Sequence, residues 1–467
     1  MYKKHKEIEI PKDDPFQNDK LAREGVADNL TKIIQSGEPS MVLSINAGWG
    51  FGKTTFIKMW MQKLKNENHH CIYYNAWEND FSENPFISFM GELEGFIHDP
   101  TNKADKISIK SLWAKTKKGS GSLMRKAIPL SIKFATQGLI DTEKINPDDI
   151  ANLLSNFADN KIKEYQEEKK SIGSFKKSLS QFLDKLIAEN EETKEPLVIF
   201  VDELDRCRPS YAVELLENIK HLFSVPGIVF VLGIDREQLA HTVGSIYGTN
   251  MDSDGYLRRF IDLEFNLPDP APDAFFDFLW SEFNLDEWFK ERQNQNKEAP
   301  EFKSTFCALS KAFNFSLRTQ AQCFSRLRII LYSSYYGITI YPSLLIFLLF
   351  LKNNQPNEYQ EFCENKLDLK NIESLIIKVE QLITDEEFFE NYYWEKIKTF
   401  LKCSAMTTDE IDKEIENLKK QIPQQEQHMN FWNPVSVSMR LFNDNKYSEN
   451  IKGKLINNIE LSEKFKV

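Results

Sequence analysis

The chain has 467 residues, too many for one simple core, so we expect two to four domains or lobes. Its composition, 41% hydrophobic and 28% charged, is that of a globular protein and excludes extended disorder. The formal net charge of −11 argues against a general duplex-DNA binder, although a local basic patch could still bind nucleic acid.

The first predicted elements frame a glycine-rich turn. Residues 40–46, "SMVLSIN", form an apolar, β-capable run, and residues 53–64 have helical apolar spacing. A phosphate-binding loop requires this order of buried strand, tight turn and helix, with the helix N-terminus facing the phosphates. The turn "AGWGFGKT" therefore predicts nucleotide binding by Gly48, Trp49, Gly50, Phe51, Gly52, Lys53, Thr54 and Thr55.

Ala47 stands where the phosphate-loop pattern has its first glycine. We expect Gly48 and Gly50 to carry the tightest backbone instead. Lys53 is predicted to reach the β- and γ-phosphates, and the Thr54 hydroxyl to bind Mg²⁺. The alternative is a glycine-rich turn that matches the phosphate-loop pattern by chance. The strand before the turn and the helix after it disfavour this alternative.

A second apolar run, residues 197–201, ends in Asp202 and Glu203. Such a run is typical of a central parallel strand, and an acid at its carboxyl end lies in the ligand crevice of an α/β sheet. Asp202 is predicted to order Mg²⁺, and Glu203 to polarise the attacking water. The alternative is an acidic strand-to-helix turn in which Asp205 caps the next helix.

Three further strands complete the predicted sheet, at residues 71–77, 227–235 and 260–268. The alternation of strands and helices predicts an α/β fold with a doubly wound parallel sheet. Asp235 and Arg236 end the fourth strand, which we expect beside the acidic strand. Asp235 could sense the γ-phosphate, and an N-cap role is equally open.

An insertion over residues 101–190 is predicted to be helical and lysine-rich, with a net charge of +8 within residues 101–133. We favour a solvated surface hairpin there over a contact with nucleic acid or anionic lipid, because Trp113 alone is not a stacking pattern. The apolar run at 338–351 is shorter than the roughly 20 residues that cross a bilayer, so it predicts a buried helix.

Taken together, the ordered motifs "GWGFGKT", "YNAWEND", "VIFVDELDRCRP", "LLENIKHLF", "VFVLGIDREQL" and "YLRRFIDLEFNLP" resemble the KAP family of P-loop NTPases, within the class that includes AAA+ and STAND proteins. The resemblance implies nucleotide hydrolysis coupled to a regulatory or defence role, with some bacterial members linked to phage exclusion. Many members carry transmembrane helices between the two Walker motifs, and this sequence shows none.

The resemblance also implies two arginine contacts. A helical lobe often presents an arginine to the phosphates, and Arg318 resembles that residue, although a solvent-facing role is equally open. AAA+ and STAND relatives often take a catalytic arginine from a neighbouring subunit. Arg258 and Arg259 are candidates, with Arg259 our choice. The alternative is that they pair with Asp254 or Asp262.

We therefore expect a Mg²⁺-dependent ATP hydrolase acting as a conformational switch, with a protein partner or a homo-oligomer. Six scattered cysteines and no N-terminal apolar segment indicate a cytoplasmic protein without a signal peptide. No guanine-reading NKxD motif directly follows a core strand, which favours ATP. Two alternatives stay open: a nucleotide-binding scaffold with negligible hydrolysis, and a nucleic-acid-remodelling motor. The predicted domains are a first core segment, the insertion, a second core segment, a helical lid and a C-terminal helical domain, at 1–100, 101–190, 191–270, 271–352 and 353–467.

Overall fold

The computed structural model describes residues 8–36, 40–98, 109–117, 147–188, 194–248, 250–269, 272–290, 295–333, 341–382, 392–421 and 448–464. The chain divides into two compact units. One covers Ile8–Pro268, and the other covers the chain from Asp269 onward.

The first unit is built on a five-stranded parallel sheet with strand order β2-β3-β4-β1-β5. Strand β1 comes first in the chain but lies inside the sheet, paired in register with β4 from Ser40 to Asn46 and with β5 on its other side. The elements in chain order are α1 (Glu24–Ser36), β1 (Ser40–Asn46), α2 (Lys53–Asn66), β2 (His69–Asn75), α3 (Ala76–Asn79), α4 (Pro85–His98), α5 (109–117), α6 (Pro147–Ala188), β3 (Lys194–Asp202), a 3₁₀ turn (Leu204–Arg206), α7 (Pro209–His221), β4 (Ile228–Ile234), α8 (Arg236–Tyr247), α9 (Ser253–Leu257) and β5 (Leu263–Asn266).

Two apolar clusters cover the two faces of the sheet. On β3, Val198 and Phe200 belong to the cluster that holds α1 and α2, whereas Ile199 and Val201 belong to the cluster that holds α4, α7 and α8. Alternate side chains thus point to opposite faces, and both faces are buried, as expected for a parallel strand that reads as an unbroken apolar run. The predicted α/β fold with a doubly wound sheet is confirmed.

The described parts of the insertion are helical and pack on the core. Trp113 of α5 is buried, and its ring lies 5.6 Å from that of Phe182 on α6. This burial explains Trp113 as a core residue rather than a surface for stacking bases. Residues 118–146, which carry much of the predicted basic segment, lie outside the described residues.

The second unit is helical in its described residues. Every residue from Pro342 to Leu351 is buried, so the predicted buried helix is present, beginning at Pro342. No helix in the described ranges combines the length and the apolar composition needed to cross a bilayer. The helices are α10 (Pro272–Glu282), α11 (Leu285–Lys290), α12 (Gln295–Ala312), α13 (Leu317–Ser333), α14 (Pro342–Asn354), α15 (Pro356–Cys363), α16 (Leu369–Leu382), α17 (Tyr392–Cys403), α18 (Thr408–Gln421) and α19 (Ser448–Glu463).

Two strand boundaries differ from the prediction. Strand β2 ends at Asn75 because the Asn75 side chain accepts hydrogen bonds from the backbone N–H groups of Trp77 and Glu78, which starts α3. Strand β5 covers only Leu263–Asn266 and is largely exposed, so the predicted strand at 260–268 was too long.

Candidate nucleotide-binding site

The candidate site lies at the carboxyl edge of three adjacent strands. The phosphate loop (residues 47–52) follows β1, Asp202 ends β3, and Asp235 follows β4. Because β3, β4 and β1 are neighbours in the sheet, their carboxyl ends bring these three segments together.

The phosphate loop places its left-handed backbone at Gly50 and Gly52, both with φ of 83°. The prediction that Gly48 and Gly50 carry the tightest backbone of the loop was therefore correct only for Gly50. A Cβ on Gly48 would lie 3.1 Å from the Phe51 ring, so a side chain there would require the ring to shift by a few tenths of an ångström. Ala47 has no positive φ and donates its N–H to the Ile234 carbonyl at 3.2 Å, which explains why alanine fits.

Lys53 begins α2, and its side chain is buried beneath the loop. Its Nζ donates to the carbonyl oxygens of Ala47 at 2.5 Å and Gly48 at 3.1 Å. Burial lowers the pKa of Lys53, while the negative charges of Asp205, Asp235 and Asp202 oppose that shift. The Lys53 amine thus lies among carboxylates and loop carbonyls, at a position where a bound phosphate would contact it.

Asp202 is 1% exposed, and hydrogen bonds hold both of its carboxylate oxygens. Oδ2 accepts from the Tyr73 hydroxyl at 3.1 Å, and Oδ1 accepts from the Glu203 N–H at 2.9 Å. Burial raises the pKa of Asp202, and a hydrogen bond with Thr54 opposes that shift. Thr54, in the first turn of α2, therefore lies near Asp202, and metal binding by the two residues stays a prediction.

The pairing of a hydroxyl with a carboxylate fits Mg²⁺, which binds hard oxygen ligands and keeps phosphate oxygens and waters as its other ligands. Such a site uses only one or two protein groups. Across the described residues, no group of three His, Cys, Asp or Glu side chains is placed to hold a metal ion.

Gly233 makes room for Asp202, a role that sequence reasoning missed. The two residues are paired in register across β3 and β4. A Cβ on Gly233 would lie 2.7 Å from Asp202 Oδ1 and 2.5 Å from the Ile57 side chain. The isolated glycine within the β4 apolar run was the available signal, because a strand glycine often marks a close approach.

Glu203 has a left-handed backbone, with φ of 60°, and leads into the 3₁₀ turn. Its Oε1 forms an ion pair with Arg206 Nη1 at 2.6 Å, and its Oε2 accepts from the Asn75 amide at 3.3 Å. Both carboxylate oxygens are thus engaged. Neither contact was foreseen from the sequence.

Asp205 faces the phosphate loop. It is buried, and its Oδ2 accepts a hydrogen bond from the Trp49 indole. Burial is the main cause that raises the pKa of Asp205. The alternative in which Asp205 caps the next helix is wrong, because α7 begins at Pro209 with Arg208 in the N-cap position.

Asp235 caps α8 by accepting the Gln238 N–H at 3.2 Å, as one of its two predicted roles requires. Its charge also opposes the lowering of the Lys53 pKa by burial, so it lies within electrostatic range of that amine. Contact with a γ-phosphate stays a prediction.

Arg258 and Arg259 are exposed, and in the described part of the chain neither side chain forms an ion pair. The two proposed partners have other contacts: Asp254 pairs with Arg236 at 3.0 Å, and Asp262 accepts the Val42 N–H at 2.8 Å. The alternative pairing is therefore absent, and a contact with another subunit stays a prediction.

Arg318 lies in the first turn of α13, in the second compact unit, and is exposed. Its predicted contact with the phosphates stays a prediction.

Arg23 is a further residue that sequence reasoning missed. It is 4% exposed, and its guanidinium donates to the carbonyls of Phe51, in the phosphate loop, at 3.1 Å and of Pro268 at 2.9 Å. The segment before α1 is thereby hydrogen-bonded to the phosphate loop. No local pattern in the sequence reveals such a contact, because it joins positions far apart in the chain.

The site combines a glycine-rich loop between a buried strand and a helix, a lysine at the helix start, and a buried aspartate on an adjacent part of the sheet. Together these features define a P-loop NTPase. The KAP family P-loop domain matches residues 23–333, so the chain belongs to the KAP family of P-loop NTPases. The resemblance inferred from the sequence motifs is thus confirmed.

Two curated relatives match parts of the chain. The phage T7 exclusion protein of Escherichia coli (strain K12) is 21% identical over 255 residues, which cover 54% of this chain and 33% of that protein. The match thus spans about one third of the exclusion protein. An uncharacterized protein of Methanocaldococcus jannaschii is 27% identical over 176 residues, which cover 36% of this chain and 91% of that protein.

Among solved structures, the ORC2 protein of Aeropyrum pernix in its ADPNP–ADP complexes is similar over 92% of this chain and 95% of that one, at 10% identity and a TM-score of 0.34.

Proposed function

We propose that this chain is a Mg²⁺-dependent ATP hydrolase that acts as a conformational switch, in defence against phage or in a related regulatory complex. The observation that carries the proposal is the convergence of Lys53, Thr54 and Asp202 at one edge of the sheet, with Glu203 beside them. No NKxD motif directly follows a strand of the sheet, which favours ATP over GTP.

Each side chain would have a defined task. The loop N–H groups and Lys53 would hold the β- and γ-phosphates, and Thr54 with Asp202 would hold Mg²⁺. The metal ion would offset negative charge on the phosphates. Glu203 would accept a proton from the water whose oxygen bonds to the γ-phosphorus, as the bond to the β-phosphate oxygen breaks and ADP and phosphate leave. Arg259 of a neighbouring subunit would stabilise the transferring phosphoryl group.

A second candidate is a nucleotide-binding scaffold with negligible hydrolysis. One observation favours it: both oxygens of Glu203 are already engaged, by Arg206 and Asn75. A carboxylate in that arrangement must first lose a partner before it can accept a proton. Both candidates predict nucleotide binding, but only the hydrolase predicts appreciable turnover.

Binding and turnover of ATP by the purified chain test the proposal. Lys53→Ala should abolish nucleotide binding, because it removes the charge that meets the phosphates. Glu203→Gln should keep binding and slow hydrolysis by about 10²–10⁴, since the amide cannot accept a proton. Lys65→Ala is the matched control, an exposed lysine on the same helix, and should leave both properties unchanged.

Normal nucleotide affinity in Lys53→Ala would contradict the phosphate-loop assignment. Tight binding with no turnover in the wild type would favour the scaffold. The defence role is supported by the partial match to the phage T7 exclusion protein. It predicts that expressing the wild-type chain lowers phage plating efficiency, and that Lys53→Ala removes this protection.

A further inference from the structure

We propose that Arg206 distinguishes a nucleoside triphosphate from a diphosphate by exchanging its ion pair with Glu203 for the terminal phosphate. The inference rests on the proposed nucleotide site and adds a residue that selects the ligand. Arg206 would thus allow the site to recognise the nucleotide that still carries the phosphate removed by hydrolysis.

The contacts of Arg206 are few and exchangeable. Its guanidinium pairs with Glu203 Oε1 at 2.6 Å and lies over the Trp77 ring, 5.6 Å from the centroid. The Arg206 side chain is 23% exposed, that of Glu203 15% and the Trp77 residue 53%, so the ion pair lies at the boundary between the core and the surface. Leaving a mostly buried charge unpaired is costly, so Arg206 would leave Glu203 only for another anion, such as a phosphate.

The neighbouring Arg208, by contrast, is held in one position by several hydrogen bonds. Its Nε pairs with Asp80 Oδ1 at 2.5 Å, its backbone N–H donates to Asp80 Oδ2 at 2.7 Å, and its Nη2 donates to the carbonyls of Asp80 and Ser82. These bonds fix Arg208 to the chain between α3 and α4. Arg206 has no comparable set of bonds.

Arg206 also directly follows a residue that contacts the phosphate loop. It ends the 3₁₀ turn whose middle residue, Asp205, accepts the Trp49 indole of the phosphate loop. Its positive charge contributes to the lowered pKa of Lys53, which places the two cations within electrostatic range of each other. An anion bound by Lys53 would attract both.

The exchange is chemically favourable. A terminal phosphate offers a guanidinium more charge and more acceptor oxygens than a single carboxylate oxygen does, and arginine binds phosphate through paired hydrogen bonds. Glu203 would then keep only its neutral contact with the Asn75 amide, at 3.3 Å. The group proposed to accept the proton would thus be released only when a γ-phosphate is present.

Calorimetric titration of the purified chain with ADP and with a non-hydrolysable ATP analogue, each with Mg²⁺, tests this exchange. For Arg206→Gln, we expect the affinity for the ATP analogue to fall by about tenfold or more, which is the usual worth of a charged hydrogen bond. ADP affinity should stay within about twofold, since ADP lacks the group that Arg206 would bind. Arg206→Lys keeps the charge and should lose less affinity for the analogue.

Arg208→Gln is the matched control, and any change in it should affect both nucleotides equally. Equal losses of ADP and analogue affinity in Arg206→Gln would identify a merely structural arginine and overturn the inference, as would unchanged affinity for the analogue. If the wild type bound neither nucleotide, the proposed function would fall, and the inference with it. If the wild type bound both and Arg206→Gln did not discriminate, only the inference would fall.

Discussion

Replacing Gly233 with alanine should displace the carboxylate of Asp202. The added Cβ would lie 2.7 Å from Asp202 Oδ1, whereas ordinary contacts begin near 3.4 Å. The carboxylate must therefore move by about 0.7 Å. The other near atom belongs to Ile57, which is fully buried and has little room to give way. Overpacking of this kind costs about 1–3 kcal/mol in the free energy of unfolding.

The same displacement should weaken the Mg²⁺ site. A misplacement approaching 1 Å in a reacting assembly can cost about 10² in rate, so Gly233→Ala should hydrolyse ATP about 10–100 times more slowly at ordinary Mg²⁺ and require more Mg²⁺. Urea unfolding without nucleotide measures the stability change, and a Mg²⁺ titration of turnover measures the site. The two measurements are independent.

Gly91→Ala on α4 is the control, because no atom lies within 4 Å of the Cβ position there. It should leave turnover unchanged and keep or raise stability, by up to about 1 kcal/mol, since alanine suits a helix better than glycine. Wild-type stability and an unchanged Mg²⁺ requirement in Gly233→Ala would refute the steric argument.

The remaining predictions concern charge and assembly. Burial raises the pKa of Asp205 above its ordinary 3.8, so the ionised carboxylate costs stability at neutral pH, and this cost is absent below pH 3.8. Asp205→Asn should therefore stabilise the nucleotide-free chain at pH 7 in urea unfolding, by a margin that disappears as the pH falls towards 3.8; a margin independent of pH would contradict this. If Arg259 acts on a neighbouring subunit, turnover per chain should rise with protein concentration, and Arg258→Ala or Arg259→Ala should lower it without loss of nucleotide binding. Concentration-independent turnover from a monodisperse monomer would exclude that role.

The strands were predictable because burial on both faces leaves a continuous apolar run. The runs before Asn46, Asp202 and Asp235 each ended where the polypeptide reaches the polar edge of the sheet, so local composition located both the strand and the end that faces the site. Strand β5 was less clear. It lies at the edge of the sheet with mostly exposed residues, and nothing in its composition marks where the pairing stops.

The site was predictable only where it depends on neighbours in the chain. The loop and the acid of β3 follow from motifs, whereas the contacts of Arg23, Asn75 and Gly233 depend on segments brought together by folding. The glycine positions show the same limit. Which glycine takes a positive φ depends on how the turn enters α2, and Gly52, directly before that helix, takes the left-handed conformation that Gly48 was expected to have.

The position of β1 between β4 and β5, two strands that come much later in the chain, has a consequence for synthesis on the ribosome. Strand β1 leaves the ribosome first, but its partner β4 begins only at Ile228, after the whole helical insertion. At ribosomal rates of about 5–20 residues per second, the roughly 180 residues between them take about 10–40 s to appear. Throughout that interval an apolar strand and its unpaired backbone groups are open to other nascent chains, so we expect production of this protein to depend on chaperones that cover such segments.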